Sequence, residues 1–106
     1  MSERKLEGRV AIVTGGGSGL GAECARVLAL HGAHVAVVDL DAGSAQAVAT
    51  EIETAGGQAL AVQADVASED AIRAMAAAVV ERFGRIDVLH NNAAVAADIA
   101  VALAAA

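Results

Sequence analysis

Two textures alternate along the chain. Val10-Ala11-Ile12-Val13 is an unbroken apolar run, the pattern of a strand buried on both faces of a parallel sheet. Val35-Ala36-Val37-Val38 repeats it, and Ala59-Leu60-Ala61-Val62 and Val88-Leu89 are weaker versions. Between these runs the apolar residues recur at helical spacing. Cys24, Val27, Leu28 and His31 form the first set; Ala45, Val48, Ala49 and Ile52 the second; Ile72, Met75, Ala76 and Val79, followed by Phe83, the third. Each set predicts a helix whose larger side chains share one face, and that face must pack against something.

The punctuation agrees with the pattern. Gly32, Gly56 and Gly84 each follow a helical segment, where a left-handed cap is wanted. Ser68 precedes the third helix as a cap, with Glu69 and Asp70 in its favourable first turn. The predicted order is β-α-β-α-β-α-β, an α/β chain with short connections. Parallel strands joined by right-handed helical crossovers give a doubly wound sheet. Residues 1–92 read as one unit without repeats or linkers. Residues 93–106 stand apart, because nine of these fourteen are alanine. Alanine is the best helix former, but only Val95, Ile99, Val101 and Leu103 offer anything to bury, so the segment reads as a partial helix or as a disordered tail.

Composition narrows the field. With 106 residues, 57% of them hydrophobic and 29 of them alanine, the chain is one domain at most. A net charge of −6 with no basic cluster argues against nucleic acid and against an anionic membrane surface. The single cysteine, Cys24, forms no internal disulfide, which favours a reducing compartment; within its helical pattern it reads as a small core residue. Ser2-Glu3-Arg4-Lys5 is no signal-peptide core, and no apolar run approaches the ~20 residues of a membrane helix, so a cytoplasmic protein is expected. His31, His34 and His90 lack metal-ligand spacing, and no metal site is expected. The absence of tyrosine, and a single lysine at Lys5, bear on catalysis below.

The candidate chemistry begins where the first strand ends. Thr14-Gly15-Gly16-Gly17-Ser18-Gly19-Leu20-Gly21 leads directly into the first helix. Glycine allows positive φ and close approach of the backbone to another group. The helix start supplies unpaired N–H groups and partial positive charge, a ready site for a pyrophosphate. The fingerprint G-x-G-x-x-G/A fits Gly17, Gly19 and Ala22; the spacing T-G-x-x-x-G-x-G fits Thr14, Gly15, Gly19 and Gly21. Such a pattern after a strand and before a helix is the setting of dinucleotide binding, whereas no Gly-Lys-Ser/Thr marks a triphosphate loop. The second strand ends at Asp39, eighteen residues beyond Gly21. A carboxylate there accepts hydrogen bonds from the adenosine ribose. It would repel a 2′-phosphate, and neither Ser18 nor Leu40-Asp41 offsets it with positive charge, so NAD is preferred over NADP. Asp41 is assigned to capping the second helix.

With Asp65-Val66 after the third strand, Gly84-Arg85-Ile86-Asp87 before the fourth and Asn91-Asn92-Ala93-Ala94 after it, the chain resembles the short-chain dehydrogenase/reductase family over residues 5–94. The resemblance implies a Rossmann-type fold and a nicotinamide cofactor. It implies that Gly15, Gly17, Ser18, Gly19, Leu20 and Gly21 form the phosphate turn, with Ser18 and Leu20 contacting the diphosphate or ribose region. Asp65 would meet the adenine amino group, the Val66 backbone the ring, and Asn92 the ribose. Read without the resemblance, Asp65 is a turn residue and Asn91 a partner for backbone groups. The family's fourth motif usually ends in glycine, where this chain has Ala94.

The larger departure concerns catalysis. The family uses a serine, a Tyr-x-x-x-Lys motif and a further asparagine, all later in the chain. After Asn92 there is no Ser, Tyr, Lys or Asn, so no catalytic residue is assigned. His90 reads as a strand-end residue and His31 as a helix C-terminal cation. The expectation is therefore the NAD(H)-binding portion of a truncated oxidoreductase that moves a hydride between nicotinamide and an alcohol or carbonyl compound. It should not act alone, and an alcohol or ketone would be bound only if the remainder is supplied. A non-enzymatic NAD-binding module or inactive remnant is the alternative. A methyltransferase of similar architecture is disfavoured by the paired asparagines. The fourth strand is expected to be an open edge that promotes self-association.

Overall fold

The computed structural model describes residues 4–92. The expectations for 93–106, including Ala93 and Ala94, lie outside the described residues. Strands β1 (Val10–Thr14), β2 (His34–Asp39), β3 (Gln58–Gln63) and β4 (Val88–Asn91) alternate with helices α1 (Gly19–Leu30), α2 (Ala42–Thr54) and α3 (Glu69–Phe83). The strands form one parallel sheet in the order β3-β2-β1-β4. This is the Rossmann-type α/β arrangement the apolar runs predict. Because β1 lies between β2 and β4, the chain turns one way out of β1 and crosses to the other side through α3. The reversal leaves a crevice at the carboxyl ends of β1 and β4, where ligands of such sheets bind.

The continuous apolar runs are explained by two cores. Side chains alternate across a strand, so Ala11, Val13, Val35 and Val37 join α1 and α2 on one face. Val10, Ile12, Ala36 and Val38 join Ile72, Met75 and Val79 of α3 on the other. All four residues of each run are buried, so neither strand shows polar alternation.

The buried faces of α2 (Ala45, Val48, Ala49, Ile52) and α3 (Ile72, Met75, Ala76, Val79) are those the spacing predicts. The face predicted for α1 needs correction. Its buried residues are Gly21, Ala22 and Ala25, whereas Val27 is 43% exposed and Cys24, Leu28 and His31 are half-buried. Small residues bring α1 close to β1, while Cys24, Val27 and Leu28 turn toward Val88, Leu89 and His90 of β4. The caps behave as read. Gly32, Gly56 and Gly84 all have positive φ. Gly32 and Gly56 close α1 and α2 with paired backbone bonds, such as Gly32 N–H to Ala29 O and Ala33 N–H to Leu28 O. At the opposite end of the sheet, Asp87 accepts Val10 N–H at 2.9 Å and pairs with Arg85 at 2.7 Å, joining β4 to the start of β1. The Arg85 hydrogen bond, then the Val10 amide, hold this carboxyl below its ordinary range.

Candidate functional site

The turn between β1 and α1 is shaped by glycines with different duties. Gly15 and Gly19 take φ of 64° and 54°, which side-chain-bearing residues rarely adopt. Gly17 and Gly21 are required by space. A Cβ on Gly17 would sit 2.7 Å from Ser44 Cβ, and one on Gly21 would strike the Gly15 carbonyl, 2.8 Å from its carbon. Gly15 and Gly21 thus meet the demands of T-G-x-x-x-G-x-G, Gly17 those of G-x-G-x-x-G/A, and Gly19 serves both fits, while Ala22 packs into the core.

Beyond the turn, α1 begins without a side-chain cap. Ser18 occupies the N-cap with extended backbone, its side chain makes no capping bond, and no acidic residue lies in the first turn. The N–H groups of Gly19, Leu20 and Gly21 open the helix, where orphan donors and the dipole both favour an anion. Ser18, Gly19 and Leu20 are exposed, Leu20 to 70%.

The end of β2 is tied to this turn. Gly16 N–H donates to Val38 O at 3.0 Å. Asp39 accepts Gly17 N–H on Oδ2 at 2.9 Å and Asp41 N–H on Oδ1 at 3.0 Å. Asp41 does cap α2, accepting Ser44 N–H at 3.2 Å. The Ser44 amide accordingly draws the Asp41 carboxyl below its usual pKa. Asp39 is half-buried, with two acceptor directions left beyond its two backbone partners.

On the other flank, Thr14 joins β1 to β4. Fully buried, it donates from Oγ1 to Asn91 Oδ1 at 2.9 Å and receives Asn92 N–H at 3.1 Å. The Asn92 side chain lies against the turn: a Cβ on Gly15 would come within 3.3 Å of its Nδ2. This bridging role of Thr14 was absent from the sequence reading, where the residue served only to fit a motif. A buried hydroxyl at a strand end is the signal that it carries a bond. The Asn91 side chain accepts from the Thr14 hydroxyl, a side-chain partner where the sequence suggested backbone groups.

Asp65 follows β3, and Ala64 beside it donates its N–H to Asp39 O. The exposed Asp65 carboxylate accepts Ala67 N–H at 2.9 Å, a turn-forming bond that occupies one oxygen. Val66 is half-buried against the α3 core. The turn, Asp39 and Asn92 therefore meet around the end of β1, with Asp65 one strand further out. His90, paired with Val13 on β4, lines a groove with Cys24, Val27 and Leu28 on the α1 side. His31 ends α1 and His34 begins β2, far along the chain from the turn. No three His, Cys, Asp or Glu among the described residues are disposed to hold a metal ion. No described helix is long and apolar enough to cross a membrane.

The start of α1 offers donors to an anion, and Asp39 keeps acceptor positions for a donor group. Comparison with known proteins identifies the family. A family model described as short chain dehydrogenase matches residues 9–105. D-threitol dehydrogenase of Mycolicibacterium smegmatis is 45% identical over 87% of this chain and 35% of its own length. The 7alpha-hydroxysteroid dehydrogenase of Escherichia coli is 43% identical over 84% of the chain and 35% of its length. A crystal structure of hydroxysteroid dehydrogenase from Escherichia coli superposes with a TM-score of 0.83 at 42% identity, covering 86% of this chain and 39% of that one. A 7 alpha-hydroxysteroid dehydrogenase complexed with NADH and 7-oxo glycochenodeoxycholic acid superposes with a TM-score of 0.79 at 40% identity, over 82% of this chain and 34% of that one. The chain thus spans about a third of the length of the curated relatives it matches.

Proposed function

Because the chain belongs to the short-chain dehydrogenase family, we propose that its carboxyl-terminal sheet edge binds a nicotinamide adenine dinucleotide, NAD(H) in preference to NADP(H). The observation that carries this reading is the uncapped start of α1, opened by a turn that leaves no room for side chains at Gly17 and Gly21, with Asp39 alongside. The residues fit the cofactor's chemistry. N–H groups of Ser18, Gly19 and Leu20 face the pyrophosphate, and Gly15, Gly17 and Gly21 keep the backbone close to it. Asp39 accepts from the adenosine ribose hydroxyls. Asp65 and the Val66 backbone meet the adenine, and Asn92 holds the ribose on the nicotinamide side. Bound there, the nicotinamide would supply hydride exchange with an alcohol or carbonyl carbon; the 7-oxo group of the bile acid in the related complex is such a carbonyl.

The chain's own contribution is binding and orientation. Its 106 residues include no tyrosine, and its single lysine is Lys5, so we assign it no proton donor and no independent turnover. A non-catalytic NAD-binding module is the second reading, favoured by that same absence. We place the protein in the cytoplasm, and we expect the outer edge of β4, unpaired among the described residues, to promote self-association. A monomeric, cooperative melt at high temperature would contradict that last point.

Titration calorimetry with NAD⁺ and NADP⁺ tests the function. NAD⁺ should bind more tightly, and Asp39→Ala should cost NAD⁺ more affinity than NADP⁺. Equal or NADP-favoured binding by the unaltered chain would sink the assignment of Asp39. A dehydrogenase assay on secondary alcohols should read blank for this chain alone, and robust turnover would overturn the reading of the missing tyrosine.

A further inference from the structure

Asp39 does more than face outward. Its Oδ2 receives Gly17 N–H at 2.9 Å and its Oδ1 receives Asp41 N–H at 3.0 Å. Asp41 in turn accepts Ser44 N–H at 3.2 Å, fixing the first turn of α2. The ring closes by packing, because Ser44 Cβ and Asp39 Oδ2 together fill the space in which a Gly17 Cβ would stand, 2.7 and 2.9 Å away. Gly17, Asp39, Asp41 and Ser44 thus form a closed loop of contacts between the β1–α1 turn and the β2–α2 junction. The N–H of Gly17 points at a carboxylate and so is withdrawn from any phosphate. The remaining turn donors are held at a set distance from the end of β2.

We propose that Asp39 is a positioning residue for the phosphate turn, so that the turn and the ribose acceptor form one preassembled unit. This rests on the nucleotide-binding reading above. It goes beyond that reading, because it gives Asp39 an effect on ligand groups it never touches. A hydrogen bond to an ionised partner is among the stronger ones, and a turn of four glycines in five residues from Gly15 to Gly19 has little else to restrain it. With the carboxylate removed, the turn samples other conformations, and every ligand that needs its donors loses affinity.

The test uses the full chain and a ligand that cannot report on ribose reading, an NAD⁺ analogue whose adenosine ribose lacks both hydroxyls. If Asp39 positions the turn, Asp39→Ala lowers affinity for this analogue by about tenfold or more. It also speeds amide hydrogen exchange at Gly17 by a similar factor, while Val13 and Val37 in the sheet stay protected. Unchanged affinity for the analogue, or an unchanged Gly17 exchange rate, overturns the proposal and leaves Asp39 as a ribose acceptor alone. Should Asp39→Ala unfold the chain, exposing Val13 and Val37 as well, the unaltered protein decides. There the Gly17 amide should exchange slowly, as its bond to Asp39 requires, and exchange at the rate of an exposed, unbonded amide overturns the proposal. Absence of binding by every nucleotide would instead sink the function, while the Gly17 measurements would still decide the link.

Discussion

The starts of α1 and α3 make an instructive pair. Each helix follows a strand, and each has a serine at its N-cap with extended backbone. Ser68 accepts Ala71 N–H at 3.2 Å, and Glu69 and Asp70 complement the dipole in the first turn. Ser18 makes no such bond, and its helix opens on Gly-Leu-Gly without an acid. The α3 terminus is satisfied from within, as stability requires. The α1 terminus, beside the β1–β4 crevice, keeps its donors and its positive end unspent. That difference, one helix start without a side-chain cap beside two that have one, is what supports the proposed anion site at α1.

The sharpest way to break this contrast is steric. Gly21→Val drives a branched side chain into the Gly15 carbonyl. It should cost about 3 kcal/mol, lower the melting temperature by more than about 10 °C and abolish NAD⁺ binding. A melt close to that of the unaltered protein would show that α1 need not approach the turn. Next in size, Ser18→Asp makes the α1 terminus resemble that of α3. Calorimetry should find NAD⁺ affinity reduced about tenfold through like charge, even as the cap adds about 1 kcal/mol of stability. Retained affinity would mean that the terminus is not where the anion sits. On the other side of the comparison, Ser68→Ala should cost about 1 kcal/mol in denaturant unfolding and leave NAD⁺ binding unchanged.

The smallest effect separates the caps by pH. The Ser44 amide lowers the folded-state pKa of Asp41 from the ordinary 3.8. Its contribution is therefore full above that value and is lost as the pH falls below it, through the depressed folded value. The destabilisation caused by Asp41→Ala should shrink between about pH 6 and about pH 3, whereas that of Ser68→Ala should not, because a hydroxyl does not titrate in this range. Parallel curves for the two variants would remove the carboxylate from the α2 cap.

Individual residues show how far the sequence could be read. The spacing of Val48 and Ile52, or of Ile72, Met75 and Val79, named the buried faces of α2 and α3 because most large apolar residues on those helices lie on the buried face, Val80 being the exposed exception. The same logic failed on α1. There, the contact with the sheet is made by Gly21, Ala22 and Ala25, and a periodicity weighted toward larger side chains points past them to Val27. Asp41 was assigned as a cap correctly because capping is local, spanning three residues. Thr14 was not recognised as the bond between β1 and β4, since its partners Asn91 and Asn92 lie 77 and 78 residues away.

What the sequence by itself determined is everything that depends on neighbours along the chain: the alternation of strands and helices, the glycine caps, the turn after β1 and the carboxylate ending β2. The tertiary structure alone decided which glycines of the turn cannot carry a side chain, because that depends on Gly21 lying against the Gly15 carbonyl and on Ser44 filling the space beside Gly17. It also decided that Asp39 grips the turn with one oxygen and the start of α2 with the other. Local periodicity reports which side of an element is apolar. Only the packed sheet, by bringing the ends of β1, β2 and β4 to one edge, determines which polar groups there bind each other and which remain for a ligand.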